Sequence, residues 1–400
     1  MKIRILVLGD SEEIVSPLEK LLRPEKGEWE LYFFSSGAEA LEKLSLSDID
    51  MIIVDMHLPN MESISILEKV KEKYPAVIRI VISGIKDRDL MLKATHYAHQ
   101  FLTMPDDSAK LKATIEKICS LQNYIHNENI TKLINSIKHL PGLPELYLRI
   151  EEEINKNNPS FKKIEELISK DIIMTVKILQ LVNSAFFGLP VKIVNPLQAI
   201  NFLGLGTIKS LLLMVHLFSS DGTNQYLNHQ VSKLWEHSLK VAKLCKTIAV
   251  EETSEPKTVE MTYIGGLLHD LGKIVLWQVD GYFQDVEKIQ AEYCITLTEA
   301  EYVLYKTSHA EIGGYLLGVW GLPESLTEIV SFHHHPSNSR PKVFGPLSIV
   351  HISDHILNAG VLDVQYLEDL KITDKVNYWR DYWQKEQARI LMVENANPHN

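Results

Sequence analysis

The alternation of short apolar runs with amphipathic helical segments is the feature that most constrains the first part of this 400-residue chain. The apolar runs have the length and composition of buried strands, and apolar residues at helical spacing fill the segments between them. The runs are KIRILVLG, WELYFF, MIIVDM, VIRIVISG and QFLTMP. This order is typical of a doubly wound α/β domain, whose ligand-binding edge is formed by the carboxyl ends of parallel strands.

From about Asn123 the strand pattern stops, and long amphipathic helices separated by Pro, Gly and Asn continue to the end. The sequence therefore predicts a multidomain protein: an α/β domain at 1–122, a helical linker at 123–140 and an all-α domain at 141–400. The apolar residues at the junction, on one helical face, predict either a rigid connector or a dimer seam. They are Ile115, Ile118, Leu121 and Ile125.

Charge and cysteine usage exclude several classes of protein. A net charge of −11 and the lack of a dense Lys/Arg cluster argue against a nucleic-acid partner. Cys119, Cys245 and Cys294 lie far apart without a CxxC pair, which argues against a disulfide framework or a Cys-based zinc site and predicts a reducing, cytoplasmic location. The most apolar window, Ser210 to Phe218, is much shorter than the ~20 residues of a spanning helix, so no membrane span is predicted.

The loop MIIVDMHLPNM resembles the phospho-acceptor loop of two-component receiver domains, and VIRIVISG, a helix and QFLTMP continue that pattern through residues 1–122. The resemblance implies a flavodoxin-like fold in which Asp55 accepts phosphate. It also implies that Asp10 lines a Mg²⁺ pocket and that the Ser83 hydroxyl responds to the added charge. A sensor kinase or a downstream effector would then be the partner.

Two positions depart from the receiver pattern. Gly9 stands where the family carries the first of two acidic Mg²⁺ ligands, and Met104 stands where it carries a Lys before Pro. A methionine cannot pair with phosphoryl oxygens as a lysine does. These departures argue against a stable Mg²⁺ site and predict poor phosphorylation of Asp55. The alternative is a receiver fold that serves as a docking or dimerisation module.

Motifs of the second part resemble HDOD domains, the HD-related output domains of bacterial signalling proteins, over about residues 130–360. The most specific motifs are NSAFFG and GGLLHDLGKI, which occur in order with HLPGLPELYLRI, TSHAEIGG and FHHHP. A more distant resemblance to HD phosphohydrolases implies a helical bundle around a metal centre, with an HD-like subdomain at about 225–360. In this interpretation His269 and Asp270 share one helix, and the Ser308–Glu311 capping-box pattern places His309 at the start of another.

The same resemblance implies two sets of metal ligands, bridged by the carboxylate of Asp270. Imidazole and carboxylate ligands suit Fe, Mn, Zn or Ni. A single His on an apolar helix is more often a packed core residue, but a complete set of buried ionisable groups without partners would be costly. The first set is His237, His269, Asp270 and Asp354, and the second adds His309, His333 and His334.

Metal binding alone does not imply catalysis. The HHHPSNSRPKV segment lacks the acidic residue and Gly-Tyr-Pro loop of HD-GYP cyclic-di-GMP phosphodiesterases, so that activity is not expected. We predict a response regulator that acts by protein interaction or by sensing a small phosphorylated or nucleotide ligand, with a homodimer as a further option. The alternative is a metal-dependent phosphohydrolase acting on a nucleotide or phosphate ester, with Lys273 as its catalytic candidate and an open cleft beside the metals.

Overall fold

The computed structural model describes most of the chain, and elements are numbered in the order in which they occur there. Several positions discussed above lie outside the described residues: Asp10, Met104, Ile118, Cys119, Leu121, Ile125 and the linker 123–140 except Leu133. The main described ranges are 3–9, 29–58, 62–83, 97–103, 145–154, 159–169, 195–217, 225–320, 322–340, 342–358 and 360–396, with isolated positions between them.

A five-stranded parallel sheet forms the first domain, in the order β2-β1-β3-β4-β5. Each predicted strand is present, and the predicted doubly wound α/β fold is confirmed. The strands are β1 (Ile3–Leu8), β2 (Trp29–Phe34), β3 (Met51–Asp55), β4 (Ile78–Ser83) and β5 (Gln100–Thr103). The described helices between them are α1 (Gly37–Leu46) and α2 (Glu62–Lys73).

Both faces of this sheet are buried, which explains why its strands read as continuous apolar runs. Ile53 and Ile80 lie in one buried cluster, and their neighbours Val54 and Val81 lie in another on the opposite face. Leu67 of α2 belongs to the second cluster. The alternation of side chains along each strand therefore divides the domain into two packed layers.

The second part of the chain is helical throughout its described residues, as predicted. Long helices alternate with short ones, and α7 and α16 are the longest. The helices are α3 (Glu145–Ile154), α4 (Phe161–Ser169), α5 (Pro196–Leu203), α6 (Leu205–Leu217), α7 (Gln225–Glu252), α8 (Pro256–Leu268), α9 (Gly272–Leu276), α10 (Tyr282–Tyr293), α11 (Leu297–Tyr305), α12 (His309–Val319), α13 (Glu324–Phe332), α14 (Pro346–Asn358), α15 (Val364–Asp369) and α16 (Thr373–Ala396).

Close helix packing brings the distant parts of this domain together. Helix α7 packs against α8 and α14, and α12 packs against α9 and α13. At Gly272 a Cβ atom would lie 1.9 Å from the carbonyl oxygen of His309, so only glycine lets α9 contact the start of α12 this closely. The packing therefore fixes the positions of the segments that carry the candidate ligands.

Three smaller features concern the rest of the chain. The chain turns at Gly204, which adopts a φ of 80° after α5 ends at Leu203, and α6 begins at the next residue. Cys245 and Cys294 are free thiols. Among the helices within the described ranges, none combines the length and apolar character needed to cross a membrane.

Candidate metal centre

The turn between α8 and α9 carries His269 and Asp270. The prediction that one helix holds both residues is wrong, because α8 ends at Leu268 and α9 begins at Gly272. Tight turns replace the helical hydrogen bonds here: the N–H of Leu271 donates to the Leu268 carbonyl at 3.0 Å. The redirected chain presents the two adjacent side chains to the interior, where they are 0% and 1% exposed.

The other candidate ligands come from four separate segments. His237 lies in α7, His309 is the first residue of α12, and Asp354 lies in the last turns of α14. His333 and His334 follow directly after α13, which ends at Phe332. The prediction that His309 opens a helix is confirmed.

The start of α12 is capped in a way that the sequence pattern did not predict. The predicted capping box is wrong, because the Ser308 side chain makes no capping hydrogen bond. The Glu311 carboxylate instead accepts from the hydroxyls of Tyr302 and Thr307 at 2.5 and 2.8 Å. The backbone N–H of His309 donates to the carboxylate of Glu301 at 2.9 Å, so a residue of the preceding helix supplies the cap.

Asp270 lies at the centre of the candidate site, and its two carboxylate oxygens face different histidines. Oδ2 is 3.3 Å from His269 Nε2 and 3.7 Å from His237 Nε2. Oδ1 is 3.2 Å from His309 Nε2 and 3.8 Å from His333 Nε2. This is the arrangement that a carboxylate needs in order to bridge two cations.

The remaining ligand-type atoms complete two groups around Asp270. Asp354 Oδ1 lies 3.1 Å from His237 Nε2 and 3.6 Å from His269 Nε2. His309 Nε2 lies 2.8 Å from His334 Nε2. In each group, His237–His269–Asp354 and Asp270–His309–His333–His334, the ligand atoms lie within 4.8 Å of one another. The structure thus brings all seven candidate side chains together, and metal binding by them stays a prediction.

Hydrogen bonds at Nδ1 orient three of the imidazoles. His269 Nδ1 lies 2.8 Å from the Gly266 carbonyl, and His333 Nδ1 lies 2.8 Å from the Val330 carbonyl. His309 Nδ1 lies 2.7 Å from the Glu301 carboxylate. In each case an N–H at Nδ1 can donate, which leaves the lone pair of Nε2 directed to the centre of the site. Metal-ligating histidines are commonly held in this way.

Two buried polar atoms of the site have no hydrogen-bond partner among the described residues: Asp270 Oδ1 and His333 Nε2. His309 Nε2 is close to that oxygen, but no donor meets it with hydrogen-bond geometry. An unpaired buried polar atom costs about 1–3 kcal/mol. A cation between these atoms would supply the missing partner, so the donor set fits a divalent metal.

The electrostatics of the site favour ionised carboxylates and neutral imidazoles at His333 and His334, because burial lowers the pKa of both histidines. Burial alone would raise the pKa of Asp270, but His269 and Lys273 hold it well below its usual range. Burial lowers the pKa of His333 to about 3, and the neighbouring His269 adds to that effect. Burial also opposes protonation of His269, but Asp270 and Asp354 outweigh it and raise its pKa to about 10. A metal at His269 would therefore compete with a proton.

A cleft of about 440 Å³ opens beside this cluster. His237, Asp270 and Lys273 line this cleft together with the aromatic side chains of Trp277 and Phe283. The Lys273 ammonium is 2.5 Å from Asp270 Oδ2, and its side chain is 14% exposed, so this lysine is ion-paired and mostly buried. Among the described residues, this cleft connects the edge of the site to the surface.

Sequence reasoning missed Glu301, which is fully buried behind His309. Its carboxylate accepts hydrogen bonds from the backbone and Nδ1 of His309 and, at 2.5 Å, from the Tyr282 hydroxyl. The signal in the sequence was a charged residue on the apolar face of α11, four residues after Leu297 and four before Tyr305. Glu301 orients a candidate ligand from outside the cluster.

The receiver pocket is described only in part. Asp55 ends β3 and is 1% exposed, and its Oδ1 accepts the backbone N–H of His57 at 2.9 Å. Ser83 ends the neighbouring strand β4, where it pairs in register with Thr103 of β5. Asp55 and Ser83 therefore share the carboxyl edge of the sheet, as predicted from the strand pattern. Asp10, the third predicted pocket residue, lies outside the described residues.

Sequence models of two protein families match the chain: the response regulator receiver domain at residues 5–116 and the HDOD domain at residues 140–336. An uncharacterized protein of Treponema pallidum is 28% identical over 239 residues, covering 58% of this chain and 46% of the relative. The regulatory protein LuxO of Vibrio cholerae is 31% identical over 99 residues, covering 24% of this chain and 22% of LuxO. The chain thus spans less than half the length of these two curated relatives.

A solved structure supports the overall fold. A putative signal transduction protein from Marinobacter aquaeolei matches 90% of this chain and 88% of its own, with a TM-score of 0.51. At 15% sequence identity this likeness shows the fold alone. The two family matches show that the chain is a response regulator in which a receiver domain is joined to an HDOD domain.

Proposed function

We propose that this response regulator transmits a signal through its HDOD domain, by contacts with partner proteins or by sensing a ligand at a metal centre. The observation that carries the proposal is Asp270, whose two oxygens face two sets of ligand-type side chains in the same chain as a receiver. The receiver supports a sensor kinase or an effector as partner. The domain composition favours signalling over the phosphohydrolase alternative.

The proposed metal is a divalent transition ion, Fe, Mn, Zn or Ni, because the ligand-type side chains grouped here among the described residues are imidazoles and carboxylates. When bound, such an ion would supply a Lewis-acidic anchor for an anionic group of a ligand. Asp270 would contact both ions. His237, His269 and Asp354 would hold one ion, and His309, His333 and His334 the other.

The residues around the cleft would select the ligand. Its volume of about 440 Å³ falls within the ~300–1,000 Å³ of small-molecule sites. Lys273 places a positive charge beside the cluster, and Trp277 offers an aromatic surface. A small phosphorylated or nucleotide ligand matches this combination.

The proposal also includes the domain boundaries and the setting of the protein. The boundaries are 1–122 for the receiver, 123–140 for a helical linker and 141–400 for the HDOD domain, with the HD-like subdomain at about 225–360. Asp55 is the proposed phospho-acceptor, with Ser83 in its pocket. Free Cys245 and Cys294 support a reducing cytoplasm.

Metal analysis of the full-length protein, purified without chelators or an affinity tag, tests the proposal. We expect near-stoichiometric transition metal in the wild type and in Asp374→Ala, which removes an exposed carboxylate from α16. Asp270→Ala should lose most of the metal, and chelation should lower the melting temperature of the wild type. A metal-free wild type that is indifferent to added Mn²⁺, Fe²⁺, Zn²⁺ and Ni²⁺ would contradict the metal centre.

Hydrolysis assays separate the signalling proposal from the enzyme alternative. The metal-loaded wild type should hydrolyse nucleotides and simple phosphate esters no faster than Asp270→Ala. Metal-dependent turnover in the wild type that is lost in Asp270→Ala would instead favour the phosphohydrolase.

A further inference from the structure

Helix α12 extends from the candidate metal centre to the receiver domain. It begins with His309, whose Nε2 lies 3.2 Å from Asp270 Oδ1. It ends with Val319, whose carbonyl oxygen accepts a hydrogen bond from the side-chain amide of Gln100 at 2.6 Å. An α-helix of this length spans about 15 Å. One rigid element thus has a candidate ligand at one end and a receiver contact at the other.

The receiver residues at this contact lie at the amino-terminal edge of its parallel sheet. Asp50 precedes β3, Arg79 is the second residue of β4, and Gln100 is the first residue of β5. Burial raises the pKa of the Tyr315 hydroxyl in α12; the charge of Asp50 raises it further, and that of Arg79 lowers it. Tyr315 is 5% exposed and Gln100 is 6% exposed, so the contact is a closed interface.

Buried apolar residues of both domains belong to one connected cluster. It includes Ile53 and Ile80 of the sheet together with Leu316, Val319 and Trp320 at the end of α12. Burial of such side chains stabilises the folded state by about 25 cal/mol for each Å² of apolar surface removed from water. The receiver and the HDOD domain therefore contribute to one apolar cluster, and the Gln100 side chain adds a specific polar contact between them.

The docked edge is opposite to the phospho-acceptor edge. Asp55 is the last residue of β3, four residues from Met51 at its start, which corresponds to ~13 Å along the strand. A kinase that reaches Asp55 and the HDOD domain that contacts Gln100 would therefore use different edges of the same sheet. Docking and phosphotransfer need not compete for one surface.

We infer that docking of the receiver through the amino-terminal edge of its sheet controls how tightly the metal centre holds its ions, with α12 as the connecting element. The inference rests on the proposed metal centre. Because His309 is the first residue of α12, a shift of the helix moves one ligand relative to Asp270, which is held on the turn before α9. Coupling between two sites is reciprocal, so metal binding also favours the docked arrangement.

Gln100→Glu in the full-length protein tests the inference, because it places a carboxylate against the Val319 carbonyl. The matched control is Gln284→Glu, the same change at an exposed position of α10. Solution scattering measures domain separation, and electron paramagnetic resonance measures Mn²⁺ release into excess chelator. We expect a larger radius of gyration and at least about five-fold faster release in Gln100→Glu, and wild-type behaviour in the control.

Gln100→Ala removes only the donor and serves as a second variant if Gln100→Glu does not fold. Separated domains with an unchanged rate of Mn²⁺ release would overturn the coupling. An unchanged radius of gyration in both Gln100 variants would overturn the docking edge. A wild type that binds no transition metal contradicts the proposed function instead, whereas the scattering result still decides how the domains dock.

Discussion

Glu301→Gln tests whether a buried carboxylate holds His309 in place for metal binding. The Glu301 side chain is fully buried and accepts two hydrogen bonds from His309 and one from Tyr282, at 2.5–2.9 Å. Glutamine has the same size and keeps one accepting oxygen, so the substitution mainly removes the negative charge. Loss of such a partner behind a ligating histidine typically lowers metal affinity about 10- to 100-fold, or about 1.4–2.8 kcal/mol.

Titration of metal-free full-length protein with Mn²⁺ in the presence of a competing chelator measures this loss. The structure predicts that only part of the bound metal is weakened, because His237, His269 and Asp354 make no contact with Glu301 among the described interactions. Glu299→Gln is the control, since it lies on the same helix, is exposed, and keeps the capping box with Thr296. Wild-type affinity for both ions in Glu301→Gln would refute the reasoning.

Gly272→Ala should lower metal content and melting temperature together, because the new Cβ would clash with the His309 carbonyl. Gly345→Ala is the control, since a Cβ there has no neighbouring atom within 4 Å, and equal effects of the two substitutions would contradict the expectation. Burial and Arg79 hold the pKa of His99 well below 6.5, so the unfolded chain takes up a proton that the folded one refuses. The free energy of unfolding of the wild type should therefore fall by about 1.4 kcal/mol between pH 7.5 and 5.5, and denaturation should show no such fall from this residue in His99→Gln. An identical pH dependence in the two proteins would refute this reasoning. Small phosphodonors should label Asp55 poorly, given Gly9 and Met104; stoichiometric, long-lived labelling with Mg²⁺ that is lost in Asp55→Asn would overturn this expectation.

The strands of the receiver were predictable because each is a continuous apolar run between polar turns, a local property of the sequence. The turn at His269 and Asp270 was not, because GGLLHDLGKI has apolar spacing that suits an uninterrupted helix equally well. The break depends on Gly272 packing against the His309 carbonyl, a contact between residues 37 positions apart in sequence numbering. Tertiary packing there overrides local propensity.

The candidate ligands were recognisable because their motifs resemble those of a family, and the structure brings the seven side chains to one place. Glu301 was missed because its role depends on how α11 packs against α12, which no local motif records. The same holds for the bond between Gln100 and Val319, whose positions differ by 219 in sequence. Contacts of this kind follow from the assembled fold and leave only weak traces in local patterns.

Anomalous X-ray diffraction from crystals of the Mn²⁺-loaded protein, measured at the metal absorption edge, tests the central claim most directly. The account predicts two peaks, each within about 2.5 Å of a carboxylate oxygen of Asp270. One peak should lie among His237, His269 and Asp354, and the other among His309, His333 and His334. Crystals of metal-loaded protein with no anomalous peak at Asp270, or with peaks only at other sites, would contradict the account.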